Sequence, residues 1–219
     1  MQSLAPAVRP DQTAAPRAAL ERPFYFIVVL WGERFRSFLL DFALPTLLSP
    51  NNLLALNTSP RSKFLICTRP EDWSVIERAS VFQLLNKYVE PVYVEIPPCP
   101  AGVPGGIHMG TGHRLGYGFA HAAQAYAFVL MPDCVFSDGM IARLQDLARE
   151  GIELVMIPAL RFAQEPLFEQ LRKAGISPAD HHKGAAAPIC LQSRDLVRMR
   201  RPCTSDVPLN GMCSTVMWR

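Results

Sequence analysis

The sequence predicts an α/β protein, a single domain whose mainly parallel β-sheet is flanked by helices. Two observations lead to this prediction. Between Pro23 and Arg161, short apolar and β-branched runs alternate with segments of helical period, which is typical of consecutive βαβ units. The chain has 219 residues, of which 49% are hydrophobic and 19% charged, and this composition is sufficient for one sizeable core.

The first predicted unit begins with an unbroken apolar run, FYFIVVLW, at residues 24–31. A strand buried on both faces has this continuous pattern, because neither face alternates with polar residues. Gly32 ends the run, and from Glu33 apolar residues recur at helical spacing. Pro45 is expected to bend or end that helix, since proline lacks the backbone N–H.

Two further strands are predicted at residues 63–67 and 91–96. The residues after the first of them, 68–71, read Thr-Arg-Pro-Glu, a capping-box pattern that predicts a helix extending to about residue 88. Residues 97–112 hold four prolines and five glycines. We therefore expect a long loop there, of the kind that is usually functional or mobile.

The remaining elements follow the same alternation until the pattern loosens beyond Arg161. We predict a helix at 113–127, a strand at 128–131, a turn at 132–139, a helix at 140–149 and a strand at 152–157, then helices at 164–174 and 193–200. The chain thus divides into a flexible N-terminal lead (1–22), a core (23–161) and a C-terminal extension (162–219) that ends within an incomplete element.

Composition and motifs exclude several function classes. A net charge of +3 is too small to indicate a nucleic-acid partner. The longest apolar run has eight residues, so no transmembrane segment is expected, and without a secretory signal we expect a cytoplasmic protein. No zinc-type cysteine spacing occurs. No Gly-x-Gly-x-x-Gly or P-loop pattern follows Gly32, which argues against dinucleotide binding and Rossmann-type methyl transfer.

Ligands of open parallel sheets bind beyond the carboxyl ends of the strands. At the predicted strand ends we expect Gly32, Glu33, Arg34 and Thr68 to contact a ligand. For Glu33 the alternative is that an acidic residue simply suits the first turn of a helix.

A second group of candidates precedes the fourth strand. His113 and Arg114 open the helix predicted at 113–127, where Arg114 is suited to bind a phosphate bidentately; the alternative is a solvated first-turn arginine. The glycines of 105–112 could wrap a phosphate with their backbone N–H groups, and the alternative is a plain surface loop.

The turn after the fourth strand contains the most informative acidic residues. Asp133 follows Pro132 directly and stands where a cation that bridges a diphosphate needs an oxygen ligand. The alternative for Asp133 is an ordinary turn residue. Asp138 or Ser137 is placed to cap the next helix.

Three stretches carry a family likeness: 26–33, which ends in Val-Leu-Trp-Gly-Glu, 42–53 (FALPTLLSPNNL) and 131–139 (MPDCVFSDG). Together they resemble a bacterial group of glycosyltransferase-like proteins related to the nucleotide-diphospho-sugar transferases of GT-A fold. The likeness spans about residues 24–161.

The resemblance implies a nucleotide-sugar donor at the strand ends and transfer of the sugar to an unidentified acceptor. It also implies that Asp133 stands at the first position of the Asp-x-Asp motif, whose carboxylate holds Mg²⁺ or Mn²⁺ against the donor diphosphate. Here the triplet is Asp133-Cys134-Val135, without the second acid. If the reaction inverts the configuration of the sugar, it requires a general base for the acceptor hydroxyl, and Asp138, Glu165 and Asp180 are the candidate catalytic residues.

Two alternative functions remain open at the level of sequence. A non-catalytic GT-A-like module that binds a nucleotide or a protein is favoured by the missing second acid and opposed by the Pro132–Asp133 turn. A nucleotidyltransferase shares the architecture, but it would carry a glycine-rich, basic signature after the first strand. Residues 32–35 read Gly-Glu-Arg-Phe and do not supply one.

Overall fold

The protein folds around a six-stranded sheet with the strand order β3-β2-β1-β4-β6-β5. A computed structural model describes residues 20–158, 164–176, 188–199 and, as backbone, 214–218. The strands are β1 (Phe24–Val29), β2 (Lys63–Thr68), β3 (Glu90–Glu95), β4 (Tyr126–Leu130), β5 (Val155–Pro158) and β6 (Ser214–Trp218). The first four are parallel, and β6 runs antiparallel between β4 and β5. The predicted α/β class is confirmed.

Helices cover both faces of this sheet. They are α1 (Glu33–Phe38), α2 (Leu44–Leu47), α3 (Pro70–Ile76), α4 (Ser80–Leu85), α5 (Gly105–Ala122), α6 (Met140–Arg149), α7 (Gln164–Lys173) and α8 (Ser193–Met199). Side chains alternate across a strand, so Phe24, Phe26 and Val28 pack with α2, α3, α4 and α6. Tyr25 and Ile27 pack on the opposite face, which α5 covers.

The glycine-rich stretch departs from its prediction. It is helical from Gly105, eight residues before the expected start at His113, so the phosphate-wrapping loop predicted at 105–112 is wrong. The 18-residue α5 contains six glycines, a composition of low intrinsic helix propensity. Close packing on β1 explains two of them, because a Cβ atom at Gly112 or Gly116 would lie 2.6 or 2.5 Å from a side-chain carbon of Val29 or Ile27.

Pro45 and Thr68, from which we predicted a helix bend or end and a helix cap, have different roles in the structure. Pro45 lies in the first turn of α2, and the helical segment continues to Leu47 before it ends. It follows a π-helical stretch, Leu39–Ala43, of the kind in which a widened turn relaxes the backbone hydrogen-bond ladder. Thr68 does not cap the next helix, since Arg69 is the N-cap of α3 and no side chain caps it. The predicted long helix ends at Ile76, and α4 begins at Ser80.

The ends of the chain are described in part. Leu20, near the end of the predicted lead, forms a parallel bridge with Thr58, whereas residues 1–19 lie outside the described ranges. In the extension, α7 and α8 contribute to a small apolar cluster built around Phe42, and β6 was not predicted. No helix among the described residues has the length and apolar character needed to cross a membrane.

Candidate functional site

The sheet has a switch point between β1 and β4. From β1 the chain adds β2 and then β3 on one side, and it then crosses back to place β4 on the other side of β1. The helices that follow β1 and β4, α2 and α6, pack on the same face of the sheet. Open α/β sheets bind ligands beyond the carboxyl ends of the strands where the strand order reverses, and we call the edge between the ends of β1 and β4 the crevice. Val28 is in register with Leu130, and Gly32 and Asp133 each follow their strand by three residues.

Gly32 forms the turn out of β1 and has a structural partner. Its φ of 83° and ψ of 155° fall in a region that is essentially restricted to glycine. Its N–H donates to Oδ2 of Asp72 at 2.8 Å, and the other Asp72 oxygen accepts from Arg36. Asp72 is only 2% exposed, so this paired carboxylate fixes the turn and occupies the N–H that a phosphate would otherwise use.

Glu33 and Arg34, which follow Gly32, are both exposed at the start of α1. The Arg34 guanidinium lies 5.7 Å from the centre of the Phe38 ring, close enough for a cation–π contact. Both side chains therefore stand at the β1 side of the crevice.

Asp133 stands at the β4 side of the crevice. Its side chain is exposed, whereas the preceding Pro132 is buried. Within the described residues, Asp133 has neither an ion pair nor a hydrogen bond. Its oxygens are therefore open to solvent and to a ligand.

Asp138, in the same turn, has the opposite environment. Oδ1 accepts from the backbone N–H of Asn51 at 2.8 Å, and Oδ2 accepts from the Asn51 side-chain amide at 2.7 Å. Burial raises the pKa of the Asp138 carboxyl, but hydrogen bonds from Asn51 and Ser49 outweigh it, so the pKa lies below its usual value. The expected capping of α6 is wrong, because Gly139 is the N-cap and no side chain caps the helix.

Thr68 ends β2 in the interior. It is fully buried, and its hydroxyl has no hydrogen-bond partner among the described residues. The neighbouring Arg69 stacks its guanidinium over the indole of Trp31, 5.9 Å from the ring centre. Arg69 is thus the residue of this strand end that reaches the surface, with 29% of its side chain exposed.

His113 and Arg114 lie inside α5 rather than at its start. Nine residues separate Gly105 from Arg114, about 13 Å along the helix axis at 1.5 Å per residue. The structure therefore does not bring Arg114 to the helix N-terminus, where we expected it. Burial lowers the pKa of His113, and its Nε2 has no partner among the described groups. Arg114 is exposed.

The structure adds an aromatic cluster that sequence reasoning missed. The ring of buried His108 meets Trp31 edge-on at 5.3 Å, and its Nε2 is 2.9 Å from the carbonyl oxygen of Pro97. Trp31 thus lies between His108 and Arg69 at the carboxyl ends of the strands. The signal in the sequence was that Trp31 and Arg69 each stand in a connection between a buried strand and the helix that follows it.

The side chains at the crevice could supply some, but not all, of the ligands of a metal ion. No group of three or more His, Cys, Asp or Glu residues in the described part of the chain could hold a metal ion. Mg²⁺ is nevertheless often bound through one or two carboxylates together with substrate phosphates and water. The exposed carboxylate of Asp133 fits that arrangement, whereas an all-protein metal centre does not fit.

A cavity of about 320 Å³ lies beside the extension, away from the strand ends that carry Arg69 and Trp31. It is lined by Phe42, Glu165, Phe168, Glu169, Leu171, Arg172 and Ile176. Glu165, one of the predicted base candidates, is exposed at its rim. Asp180, the other alternative, lies outside the described residues.

Comparison with known proteins adds no assignment. No protein-family model matches this chain, and no curated protein matches it.

Proposed function

We propose that this protein is a GT-A-like glycosyltransferase that moves a sugar from a nucleotide-sugar donor, bound in the crevice between β1 and β4, to an acceptor hydroxyl. The observation that carries the proposal is the exposed carboxylate of Asp133, unpaired among the described residues, at the switch point of a parallel sheet. A carboxylate in this position is suited to hold a hard cation against a diphosphate.

The metal, Mg²⁺ or Mn²⁺, would be held by Asp133 and by the phosphates of the donor. When bound, it stabilises negative charge on the departing diphosphate as a Lewis acid. Two guanidinium groups stand at the same edge: that of exposed Arg34 beside β1 and that of half-buried Arg69 beside β2, which lies 3.9 Å from the Glu71 carboxylate. Both add positive charge to the crevice. Such charge favours the binding of an anionic donor.

A second function is favoured by one specific observation. Asp138, the other acid of the Asp133 turn, accepts two hydrogen bonds from Asn51; these favour its charged form, lower its pKa and make it a weak proton acceptor. A module that binds a nucleotide without transferring a sugar needs no such base. Binding is common to both functions, and only turnover distinguishes them.

Thermal shift with nucleoside diphosphates and nucleotide sugars, each with and without Mn²⁺, tests the proposal. A ligand at one hundred times its Kd stabilises the folded state by about 2.7 kcal/mol, and this corresponds to about 5–10 °C for a chain of this size. We expect such a rise for wild type with Mn²⁺ and its loss in Asp133→Asn.

The matched control is Glu95→Gln, which removes another exposed carboxylate at the carboxyl end of a strand, β3. We expect this variant to retain the wild-type shift. If no nucleotide raises the Tm of wild type, both functions are wrong. If the shift survives in Asp133→Asn, the metal role of Asp133 is wrong, and binding without sugar release or transfer would favour the non-catalytic module.

A further inference from the structure

The turn that carries Asp133 is interlocked with a segment far away in the sequence. Residues 45–52 begin inside α2 and end before a short 3₁₀ helix, Leu53–Ala55. They exchange hydrogen bonds with residues 132–141, which follow β4 and end in the first turn of α6. The hydroxyl of buried Thr46 accepts from the N–H of Phe136 at 3.2 Å and lies within hydrogen-bond distance of the carbonyls of Phe42 and Ala43. The bond from Phe136 to Thr46 thus attaches the turn to the other segment at a point three residues after Asp133.

Asn52 forms the centre of the interlock and is fully buried. Its amide nitrogen donates to the carbonyl of Ser137 at 3.0 Å and to groups of its own segment, the carbonyl of Thr46 and the hydroxyl of Ser49. Its oxygen accepts from the N–H of Ile141 at 3.0 Å. A buried amide with these contacts specifies one arrangement of its neighbours, because losing any partner leaves a buried polar atom unsatisfied.

The Asn51–Asp138 pair closes the interlock on its exposed side. In addition to the two bonds from Asn51 to the carboxylate, the carbonyl of Asn51 accepts from the N–H of Ala142 at 3.2 Å. The backbone N–H of Asp138 donates to the carbonyl of Leu191 at 2.7 Å, and the N–H of Ile189 donates to the carbonyl of Pro45. The extension thus binds both halves of the interlock.

From these contacts we infer that Asp138 is a positioning residue, whose hydrogen bonds to Asn51 hold the 132–141 turn so that the Asp133 carboxylate faces the crevice. This inference rests on the proposed function for the importance of Asp133, but not for the contacts themselves. A ligand group needs its position fixed by such supporting bonds, because small misplacements weaken binding strongly.

The geometry distinguishes positioning from general-base catalysis. Both Asp138 oxygens are within 2.8 Å of Asn51 nitrogens, and the residue is only partly exposed. The roles of Asn51 and Asp138 are also exchangeable in principle. An amide at 138 and a carboxylate at 51 would again place a donor opposite an acceptor, but it would move the negative charge to the other segment.

The experiment compares Asp138→Asn, Asn51→Asp and the double variant that carries both exchanges. Amide hydrogen exchange of residues 133–142 is measured in the full chain. The Kd of Mn²⁺ is measured by electron paramagnetic resonance with pyrophosphate present. In Asn51→Asp two carboxylates face each other, and the side-chain hydrogen bond is lost. Because a hydrogen bond to a charged group contributes more than a tenfold factor to stability, we expect exchange at Phe136 and Ala142 to accelerate about tenfold or more in Asn51→Asp. We expect a smaller acceleration in Asp138→Asn, where a rotated Asn51 amide can accept a hydrogen bond from the new side chain. We expect the double variant to regain the wild-type exchange rates at Phe136 and Ala142.

The controls separate this inference from the proposed function. In Asp133→Asn we expect unchanged amide exchange in the turn and loss of Mn²⁺ binding. Adding the substitutions at residues 51 and 138 to this variant should not restore Mn²⁺ binding. Unchanged exchange in Asn51→Asp, or a double variant that does not regain the wild-type exchange rates, would overturn the positioning role. If wild type binds no Mn²⁺ with pyrophosphate, the metal proposal fails, while the exchange data still decide the role of Asp138.

Should Asp138→Asn fold poorly, Asn51→Ala gives the same answer. It removes the side-chain donor but keeps the backbone N–H that binds Oδ1 of Asp138. We expect a smaller acceleration confined to the turn, and equal exchange in wild type and Asn51→Ala would contradict the inference.

Discussion

Asp133 and Asp138 lie five residues apart in one turn, but their side chains have different environments because only one of them has hydrogen-bond partners. Asp133 is exposed and has no partner in the described part of the chain, whereas Asp138 accepts two hydrogen bonds from Asn51. Sequence reasoning singled out both and assigned metal binding to one and catalysis to the other. The metal assignment stays a prediction that the geometry suits, while the contacts of Asp138 favour a structural role that its immediate neighbours in the sequence do not indicate.

At the residue scale, the pKa of Asp138 predicts a pH dependence of stability. A carboxyl whose pKa is lower in the folded than in the unfolded state stabilises the fold above the unfolded value, about 3.9 for aspartate. This contribution is lost as the pH falls below that value and through the lower folded pKa. We therefore expect wild type to unfold at higher urea than Asp138→Asn at pH 6, with the difference shrinking below about pH 4.

Urea midpoints of the two proteins at several pH values check this prediction. Asp195→Asn is the control. The Asp195 carboxylate on α8 lies 3.9 Å from the guanidinium groups of Arg194 and Arg198 and has no contact with the Asp133 turn among those described. A difference between wild type and Asp138→Asn that stays constant from pH 6 to pH 3 would contradict the assigned lowering of the pKa.

At the element scale, α5 shows how packing overrides propensity. Its glycines predict a loop, but the face that contains Gly112 and Gly116 lies so close to β1 that no side chain fits there. The buried area gained by this approach stabilises a helix that its intrinsic propensity disfavours. By contrast, α6 has the predicted bounds, 140–149, because its apolar residues recur regularly.

Two glycine substitutions in α5 are expected to have opposite effects. In Gly116→Ala the new methyl group would lie 2.5 Å from Cγ2 of Ile27, and such overpacking costs about 1–3 kcal/mol. Gly118 follows two residues later in the same helix, and a Cβ atom added there would meet no heavy atom within 4 Å. Gly118→Ala is therefore expected to stabilise the protein by about 0.5–1 kcal/mol.

The free energy of unfolding from urea titration measures both changes. Because the two substitutions add the same group to the same helix, their difference isolates the contact with β1. Equal effects of the two substitutions would show that α5 does not pack closely on β1 at Gly116.

At the scale of the whole molecule, the extension is joined to the core in three ways among the described residues. Strand β6 pairs with β4 and β5, the Phe168 ring contacts the rings of Phe38 and Phe42, and residues 189 and 191 form backbone hydrogen bonds with residues 45 and 138. The Phe168 ring of α7 stacks on Phe42 at a centroid distance of 4.9 Å and an angle of 12°. Leu171, Ile189 and Leu191 complete the apolar cluster. The residues that hold the Asp133 turn and those that hold the extension are thus neighbours, so attachment of the extension and the order of the turn are physically linked.

Removing the Phe168 ring is expected to loosen the extension without unfolding the core. A stacked aromatic pair contributes about 0.5–1.5 kcal/mol beyond the area it buries, and the Phe168 ring makes the aromatic contacts of α7 with Phe38 and Phe42 of the core. In Phe168→Ala we expect faster amide exchange throughout α7 and a smaller change within β1 and β2.

Phe119→Ala provides the comparison for this measurement. Phe119 lies on α5, is 48% exposed and belongs to none of the apolar clusters, so its loss should leave exchange in α7 unchanged. The prediction fails if the two variants have the same exchange rates in α7.

The sequence by itself determined the alternation of strands and helices, since the apolar period of each segment is a local property that its own residues encode. It located β1 to β4 within about two residues and placed Gly32 and Asp133 at strand ends. Only the tertiary structure decided the helical state of the glycines in α5, the presence of β6 and the partner of Asp138. The physical reason is distance along the chain. The bonds of the interlock join residues 85–90 positions apart, and no local pattern specifies which distant donor will meet a given acceptor.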